Sequence, residues 1–319
     1  MTNPPRVVSL IASATEIVCA LGRGEHLVGR SHECDYPPEV ARLPALTAPK
    51  FSVEGSSAEI DARVRQIVRD GLAVYSVDAE ALRGLEPDLI LTQDHCDVCA
   101  VSLADVEAAT CTWTGRRVAI VSLRPDCLAD AYADIRRVAG ALGAPDAGDA
   151  LVQVMQQRIA AVGTRLADLR RQRAHPHPKP RVAFIEWVEP PMAGGNWMPE
   201  LIEAAGAVSL LGAAGRRSDW MRWPDLLAAD PDAIVVAPCG YDLARCLGER
   251  PLLEAKPGWS ELAAVRSGRV FFADGNAWFN RPGPRLADTV ELLAEMLHPD
   301  AVHPAHEGAA WARYGREPM

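Results

Sequence analysis

The fold is decided by a short stretch that occurs twice, first as Glu86-Pro87-Asp88-Leu89-Ile90-Leu91. The second copy reads Asp230-Pro231-Asp232-Ala233-Ile234-Val235. In both, a proline beside acidic residues indicates a turn, and the apolar run after it is typical of a buried strand. Because the unit recurs in each half of the chain, the sequence predicts two α/β units of similar design.

Strands and helices alternate on both sides of the first copy. Residues 6–11 predict a strand and residues 15–21 a helix that ends at Gly22, with Ser13 or Thr15 as its N-terminal cap. In the second half, residues 181–185 predict a strand, and residues 200–205 and 286–297 predict helices. This alternation predicts parallel sheets covered by helices on both faces.

The middle of the chain is helical. Residues 128–142 predict one helix, and residues 148 to about 173 predict a longer one. A helix of about 26 residues spans about 39 Å at 1.5 Å per residue, so we expect a stiff connection. The predicted organisation is an N-terminal α/β lobe (1–126), a helical linker (127–179), and a C-terminal α/β lobe with its tail (180–319).

Composition narrows the possible functions. The 319 residues are 49% hydrophobic and 24% charged, which is typical of a globular protein. The net charge of −9 argues against a nucleic-acid partner, which would favour a basic surface. No apolar run approaches the roughly 20 residues of a membrane span. The motifs of serine hydrolases, P-loop NTPases and zinc proteases are missing from the sequence, so we expect no enzyme.

The N-terminal residues predict a location. Residues 7–11 form a strand-like run that is too short for the apolar core of a signal peptide, and no small-residue cleavage site follows it. The sequence as it stands therefore predicts a cytoplasmic protein. A chain from which a leader had already been removed would instead be periplasmic.

Several motifs together resemble a known family, the class III solute-binding proteins of ABC importers, and within it the cobalamin-binding branch. In the first half these are Arg6-Val7-Val8-Ser9-Leu10, Thr15-Glu16, Val28-Gly29, Asp35-Tyr36-Pro37-Pro38 and Pro87-Asp88-Leu89-Ile90. In the second half they are Arg181-Val182, Pro190-Pro191, Gly194-Gly195, Pro231 with Ala233-Ile234-Val235, and Trp278-Phe279-x-Arg281-x-x-Pro284-Arg285.

The resemblance implies an α/β fold in which two Rossmann-like lobes, with mainly parallel sheets, are joined by a long rigid α-helix. It also implies a monomer that holds cobalamin, a related corrinoid or another small-molecule metal chelate in the cleft between its lobes. The partner would be the permease of an ABC importer.

The resemblance also implies residue roles. Aromatic and apolar side chains would line the cleft, by position Trp187, Met192, Trp220, Trp278 and Phe279. One acidic residue on each lobe would dock on the permease. Glu80 lies at the matching offset before Pro87, whereas the equivalent offset before Pro231 falls on Pro224, so Asp225 beside it is the second candidate.

Two loops of the first half differ from the cobalamin-importer pattern. They follow strands at the same predicted sheet edge and carry His32, Glu33, Cys34, Asp94, His95, Cys96 and Cys99. The Cys96-x-x-Cys99 spacing is that of half a metal site, which His32 and Cys34 could complete for zinc or another soft metal ion. Axial ligation of a corrinoid cobalt by His32 or His95, a redox pair and a purely structural role remain open. The alternative function is accordingly a cytoplasmic metal-binding protein or thiol metalloenzyme.

Overall fold

The computed structural model describes residues 4–70, 74–94, 106–107, 118–172 and 178–315. The chain divides into two compact units. The first comprises residues 1–55, 59–125 and 129–154, and the second comprises residues 56–58, 126–128 and 155–319. The predictions that fall on His95, Cys96 and Cys99 lie outside the described residues.

The described part of the first unit is built on a parallel sheet. The strands of this unit are β1 (Val7–Ser9), β2 (Leu27–Arg30), β3 (Thr47–Pro49), β4 (Tyr75–Val77), β5 (Leu89–Gln93) and β6 (Ala119–Leu123). Strands β1, β2, β5 and β6 form the parallel sheet, whereas β3 and β4 form a separate antiparallel pair. The order β2-β1-β5-β6 puts the strand of the first deciding stretch, β5, inside the sheet. All five residues of β5 are buried, as its apolar run predicts.

The helices in this part of the chain are α1 (Ala12–Ala20), α2 (Ser57–Arg69), α3 (Ala79–Gly84), α4 (Leu128–Ala141) and α5 (Pro145–Gln172). Helix α1 packs against β1 and β2, and the later helices lead along the chain into the second unit. Short 3-10 turns occur at Gly24–His26 and Pro38–Arg42. Within α5, residues up to Val154 group with the first unit and those from Met155 group with the second. The core of the first unit includes Val8, Leu46 and Ile90.

The second unit contains a mixed sheet. Its strands are β7 (Arg181–Trp187), β8 (Met192–Ala193), β9 (Val208–Leu210), β10 (Asp219–Trp220), β11 (Ala233–Val236), β12 (Val270–Ala273) and β13 (Trp311–Arg313). Strands β9, β7, β11 and β12 are parallel neighbours, whereas β8, β10 and β13 are antiparallel additions at the sides. The strand of the second deciding stretch, β11, again lies inside the sheet between β7 and β12.

The helices of the second unit are short except for the last. They are α6 (Met198–Ala204), α7 (Trp223–Ala229), α8 (Leu243–Gly248), α9 (Arg250–Glu254), α10 (Ala263–Arg266) and α11 (Leu286–Leu297). Nearly every residue of α11 is buried, and α11 packs against α6. The core includes the T-shaped pair of Phe271 and Trp311, whose ring centroids are 5.6 Å apart. The α/β class with mainly parallel sheets is confirmed.

Two local predictions are wrong. Helix α1 begins at Ala12 with Ile11 at its N-cap and no side-chain cap, so Ser13 and Thr15 lie inside the helix. The Thr15 hydroxyl instead lies 3.0 Å from Cys34 Sγ, within the core. Helix α5 begins at Pro145, three residues before its predicted start, because proline is well tolerated in the first turn of a helix.

Candidate ligand-binding site

The carboxyl ends of the parallel strands are where open α/β sheets place their ligands. In the first unit, the loop after β2 begins at Ser31, and the segment after β5 begins at Asp94. Because β1 lies between β2 and β5, the two loops start roughly 10 Å apart, twice the usual strand spacing. Asp94 is exposed, and its backbone N–H donates to Leu123 O at 3.0 Å.

His32 is held in one orientation. Its Nδ1 lies 2.7 Å from Thr47 Oγ1, and its backbone N–H donates to the same oxygen at 3.0 Å. The imidazole packs against Tyr75 with ring centroids 5.3 Å apart. Burial, and then the nearby Arg30, lower the pKa of His32 below its usual 6.5. The ring is therefore neutral at physiological pH, and a ligand or metal ion would meet its Nε2.

Cys34 lies in the core rather than on the loop surface. Its side chain is 1% exposed, and its Sγ accepts a hydrogen bond from Thr15 Oγ1. Glu33 between the two is partly buried, and its N–H donates to Ser31 Oγ. Within the described ranges, no group of three or more His, Cys, Asp and Glu side chains could hold a metal ion. The set of His32, Cys34, Cys96 and Cys99 therefore stays a prediction.

In the second unit, three of the sequence-predicted residues stand in one row across the sheet. Met192 is the register partner of Trp187 on β7 and of Trp220 on β10. Directly opposed residues on neighbouring strands project to the same face, so the three side chains share one surface. Trp220 is 50% exposed, whereas Trp187 and Met192 are partly buried.

Tyr241 extends this surface beyond the end of β11. Its ring meets Trp187 edge to face at 5.4 Å, and the guanidinium of Arg245 lies 4.0 Å from its centroid. The residue is 2% exposed, and burial raises the pKa of the phenol to about 12, which keeps it neutral. Within the described residues, the Trp187 indole N–H has no hydrogen-bond partner, whereas Arg245 is the polar neighbour of the Tyr241 hydroxyl.

Trp278 is presented by a helical turn after β12, Gly275–Phe279. Asp274 caps this turn by accepting from the backbone N–H of Ala277 at 2.7 Å. Burial raises the pKa of Asp274, and the Ala277 N–H opposes that shift. The guanidinium of Arg285 lies 5.0 Å from the Trp278 ring centroid, a cation–π contact. Arg285 and Arg281 are both buried.

The loops after β11 and β12 interlock, which brings Trp278 to the same sheet edge as Tyr241. The N–H of Asn276 donates to Tyr241 O at 3.0 Å, and the Asn280 side chain donates to Ala237 O at 3.3 Å. A Cβ at Gly275 would lie 2.2 Å from Pro238 O, so only glycine permits this approach.

Phe279 lies in the core. Its side chain is 1% exposed, and its ring packs against Phe184 at 5.6 Å. Its carbonyl accepts from the Trp197 indole N–H at 3.2 Å. Of the five residues predicted to line the second half of the site, three therefore form one row, Trp278 lies on the loop that contacts Tyr241, and Phe279 lies in the core.

The two predicted docking acids differ in their surroundings. Glu80 is exposed in the first turn of α3. Asp225 in the first turn of α7 accepts two hydrogen bonds from the guanidinium of Arg222, at 2.6 and 2.9 Å. This pairing lowers the pKa of Asp225. No described helix is both long and apolar enough to cross a membrane.

Sequence reasoning missed Tyr241 and Arg245. The signal is present in the sequence, because Pro238-Cys239-Gly240-Tyr241 begins two residues after Val236, the last residue of the parallel strand β11. Arg285 belongs to the motif that begins at Trp278, and the motif alone does not indicate its role. Its role as a cation over Trp278 depends on the turn between them, which the spacing alone does not give.

Two α/β units with aromatic and cationic side chains at strand ends, and a chain that passes between them within one long helix, define the class of two-unit solute-binding proteins. The chain belongs to the periplasmic binding protein family, whose model matches residues 7–277. This is a family of solute-binding proteins and not of enzymes, which confirms the non-enzyme prediction. It also favours solute binding over the cytoplasmic metalloenzyme alternative.

Individual relatives agree with this membership. The chain is 25% identical over 305 residues to the uncharacterized ABC transporter substrate-binding lipoprotein YvrC of Bacillus subtilis, covering 93% of this chain and 81% of the relative. It is 26% identical to the vitamin B12-binding protein of Pectobacterium atrosepticum, covering 92% and 88%. The apo structure of a periplasmic heme-binding protein from Roseiflexus sp. RS-1 superposes with a TM-score of 0.64 at 25% identity, covering 94% and 100%.

Proposed function

We propose that the chain binds a cobalamin-like corrinoid, or another flat metal chelate such as heme, for uptake by an ABC importer. The observation that carries the proposal is the row of Trp187, Met192 and Trp220 across the second sheet. Such a row offers a broad apolar surface, and flat ring systems bind to surfaces of this kind.

The polar groups around this row suit a large ligand with polar substituents. Arg245 lies against Tyr241, and Arg285 lies against Trp278, so two cations border the aromatic surface. The Trp187 N–H is a donor without a partner among the described residues, and a ligand oxygen could accept its hydrogen bond. The amide and phosphate groups of a corrinoid, or the carboxylates of heme, are acceptors of this kind.

The choice between chelates draws on the relatives. A vitamin B12-binding protein and a heme-binding protein are both about one quarter identical to this chain over nearly its full length. His32, with Nδ1 held by Thr47 and a lowered pKa, supplies a neutral imidazole that suits axial ligation of cobalt or iron. We therefore propose a corrinoid as the first candidate ligand and heme as the second.

We also propose a periplasmic location and docking on an importer permease, as the lipoprotein and periplasmic relatives suggest. Glu80 is the stronger docking candidate, because it is exposed, while Asp225 already forms an ion pair with Arg222. Glu80→Lys should reduce ligand uptake in cells without changing ligand affinity. Asp146→Lys is a control, because Asp146 is also an acid in the first turn of a helix. Unchanged uptake in Glu80→Lys would contradict this role.

The ligand proposal is tested by titrating the protein with cyano-, hydroxo- and adenosylcobalamin, with heme and with ferric chelates. We expect saturable binding of at least one of them, with a shifted absorbance band and measurable heat. If every titration stays flat, the proposal is wrong.

A further inference from the structure

Trp220 lies on a very short strand at the edge of the sheet. Strand β10 contains two residues and, among the described residues, pairs only with β8, which also has two. Such a short edge pairing is marginal by itself. The side chain is a large aromatic that is half exposed. On its C-terminal side the backbone is held by the Met221 N–H, which donates to Pro191 O at 2.9 Å, and the segment before Trp220 is the second point of attachment.

The segment before Trp220 packs directly against Gly194 and Gly195. A Cβ at Gly195 would be 2.4 Å from Arg216 O and 2.7 Å from Ser218 N. A Cβ at Gly212 would be 1.9 Å from Gly194 O. The backbone of residues 212–218 therefore packs against the backbone of the Gly194-Gly195 pair. This close approach explains why Gly195 and Gly212 carry no side chain.

Ser218 joins this segment to strand β7. Its hydroxyl donates to Glu186 Oε2 at 2.7 Å and accepts from the Gly195 N–H at 2.9 Å. The serine is two residues before Trp220, the spacing that puts side chains on the same face of an extended chain. The hydrogen bond to a carboxylate is of the stronger, charge-assisted kind.

Glu186 occupies a special position in β7. Between the paired positions Ile185–Ala193 and Trp187–Met192, β7 has one residue more than β8, and Glu186 is that extra residue. A bulge of this kind re-aims a side chain relative to the regular pleat. Here it directs the Glu186 carboxylate to Ser218, next to Trp187, the other tryptophan of the row.

We infer that Glu186 and Ser218 are positioning residues that fix Trp220 on the ligand-binding face. The inference rests on the proposed function, because it assigns Trp220 to the bound chelate. The two residues do not touch the ligand themselves. They act through the backbone of residues 218–220, which carries the indole into line with Met192 and Trp187.

The test uses the full chain labelled with 5-fluorotryptophan, with the Trp220 resonance assigned through Trp220→Phe. Ser218→Ala should shift or broaden the Trp220 resonance and leave that of Trp311, which is fully buried elsewhere in the sheet, unchanged. Glu186→Gln keeps an acceptor for the serine hydroxyl and should retain most of the wild-type signal. Ser209→Ala, on edge strand β9, is the matched control.

Affinity is measured on the same proteins with whichever chelate binds the wild type. Ser218→Ala should weaken binding about tenfold, Glu186→Gln much less, and Ser209→Ala not at all. An unchanged Trp220 resonance or an unchanged affinity in Ser218→Ala overturns the inference. If the wild type binds no chelate, the proposed function fails instead, and the fluorine resonance alone then decides the positioning.

Discussion

Trp220 stands directly opposite Met192 across the β8–β10 ladder, and Met192 pairs on its other side with Trp187. Three side chains from three different stretches of sequence thus form one surface. Among the described residues, β10 pairs only with β8, and β8 pairs only with β10 and β7. The three side chains therefore lie at the edge of the sheet, where a solute can reach them, and not in its core.

The Trp278 turn should contribute to ligand affinity. Trp278→Ala removes the ring over which Arg285 lies, and we expect a loss of about 1.5 kcal/mol, roughly a tenfold rise in Kd, because aromatic contacts have that order of magnitude. Calorimetric titration measures it. Trp223→Ala is the control, since Trp223 packs on Trp259 and donates to Pro257 O. Equal affinities in both variants would contradict this assignment.

Gly195→Ala should disturb the segment that carries Trp220. The new methyl group would lie 2.4 Å from Arg216 O, so the backbone must move, and we expect a loss of about 2 kcal/mol in the free energy of unfolding. Chemical denaturation measures this loss. Gly248→Ala should have little effect, because the added methyl group has no neighbour within 4 Å apart from the adjacent residues and the backbone of its own helix. Similar stability of the two variants would show that the close approach does not matter.

Asp134 should make stability fall as the pH rises from about 4 to about 6. Burial raises the pKa of Asp134 from 3.8 to about 6, while its partner Arg137 opposes the shift. The folded protein therefore keeps a proton that the unfolded chain has already lost, and this costs up to about 3 kcal/mol above pH 6. Asp134→Asn should remove this part of the pH dependence.

The check is urea denaturation of wild type and Asp134→Asn at several pH values between 4 and 7. The stability of the variant relative to wild type should increase across this range. Asp149→Asn, which breaks only a surface pair with Arg136, should follow the wild-type profile. A wild-type-to-variant difference that is constant with pH would refute the prediction.

His32 should titrate below its usual pKa of 6.5. Because burial and Arg30 lower its folded-state pKa, the neutral ring stabilises the fold above pH 6.5, and this contribution is lost as the pH falls through the folded pKa. Proton NMR titration, with the resonance assigned through His32→Gln, measures the midpoint. A midpoint at or above 6.5 would contradict the neutral imidazole proposed for axial ligation.

The sequence predicts those elements whose signals are local. The turn and apolar run of residues 230–235 predict β11, and Gly22 predicts the end of α1, where its backbone adopts φ of +67°. The cap of α1 was mispredicted, because Ser13 and Thr15 are good capping residues wherever they occur near a helix start. Only the structure shows that the helix begins earlier, at Ala12, with Ile11 at the N-cap.

The site is less predictable, because its parts meet through the sheet. Sequence position suggested Trp187, Met192 and Trp220 separately, but their common row depends on the register of three strands. Phe279 is adjacent to Trp278, yet the turn directs one ring to Arg285 and the other to Phe184 in the core. The sequence does not indicate the role of Glu186, because that role depends on the bulge in β7 in which Glu186 is the extra residue.

The central claim is that the aromatic row of the second unit binds a metal chelate. It is tested most directly by absorbance and calorimetric titration of wild type and of Trp187→Ala/Trp220→Ala with the same cobalamins and heme. The account predicts saturable binding of at least one chelate to wild type and a loss of tenfold or more, about 1.4 kcal/mol, in the double variant. Equal affinity of the two proteins, or no binding of any chelate to wild type, would contradict it.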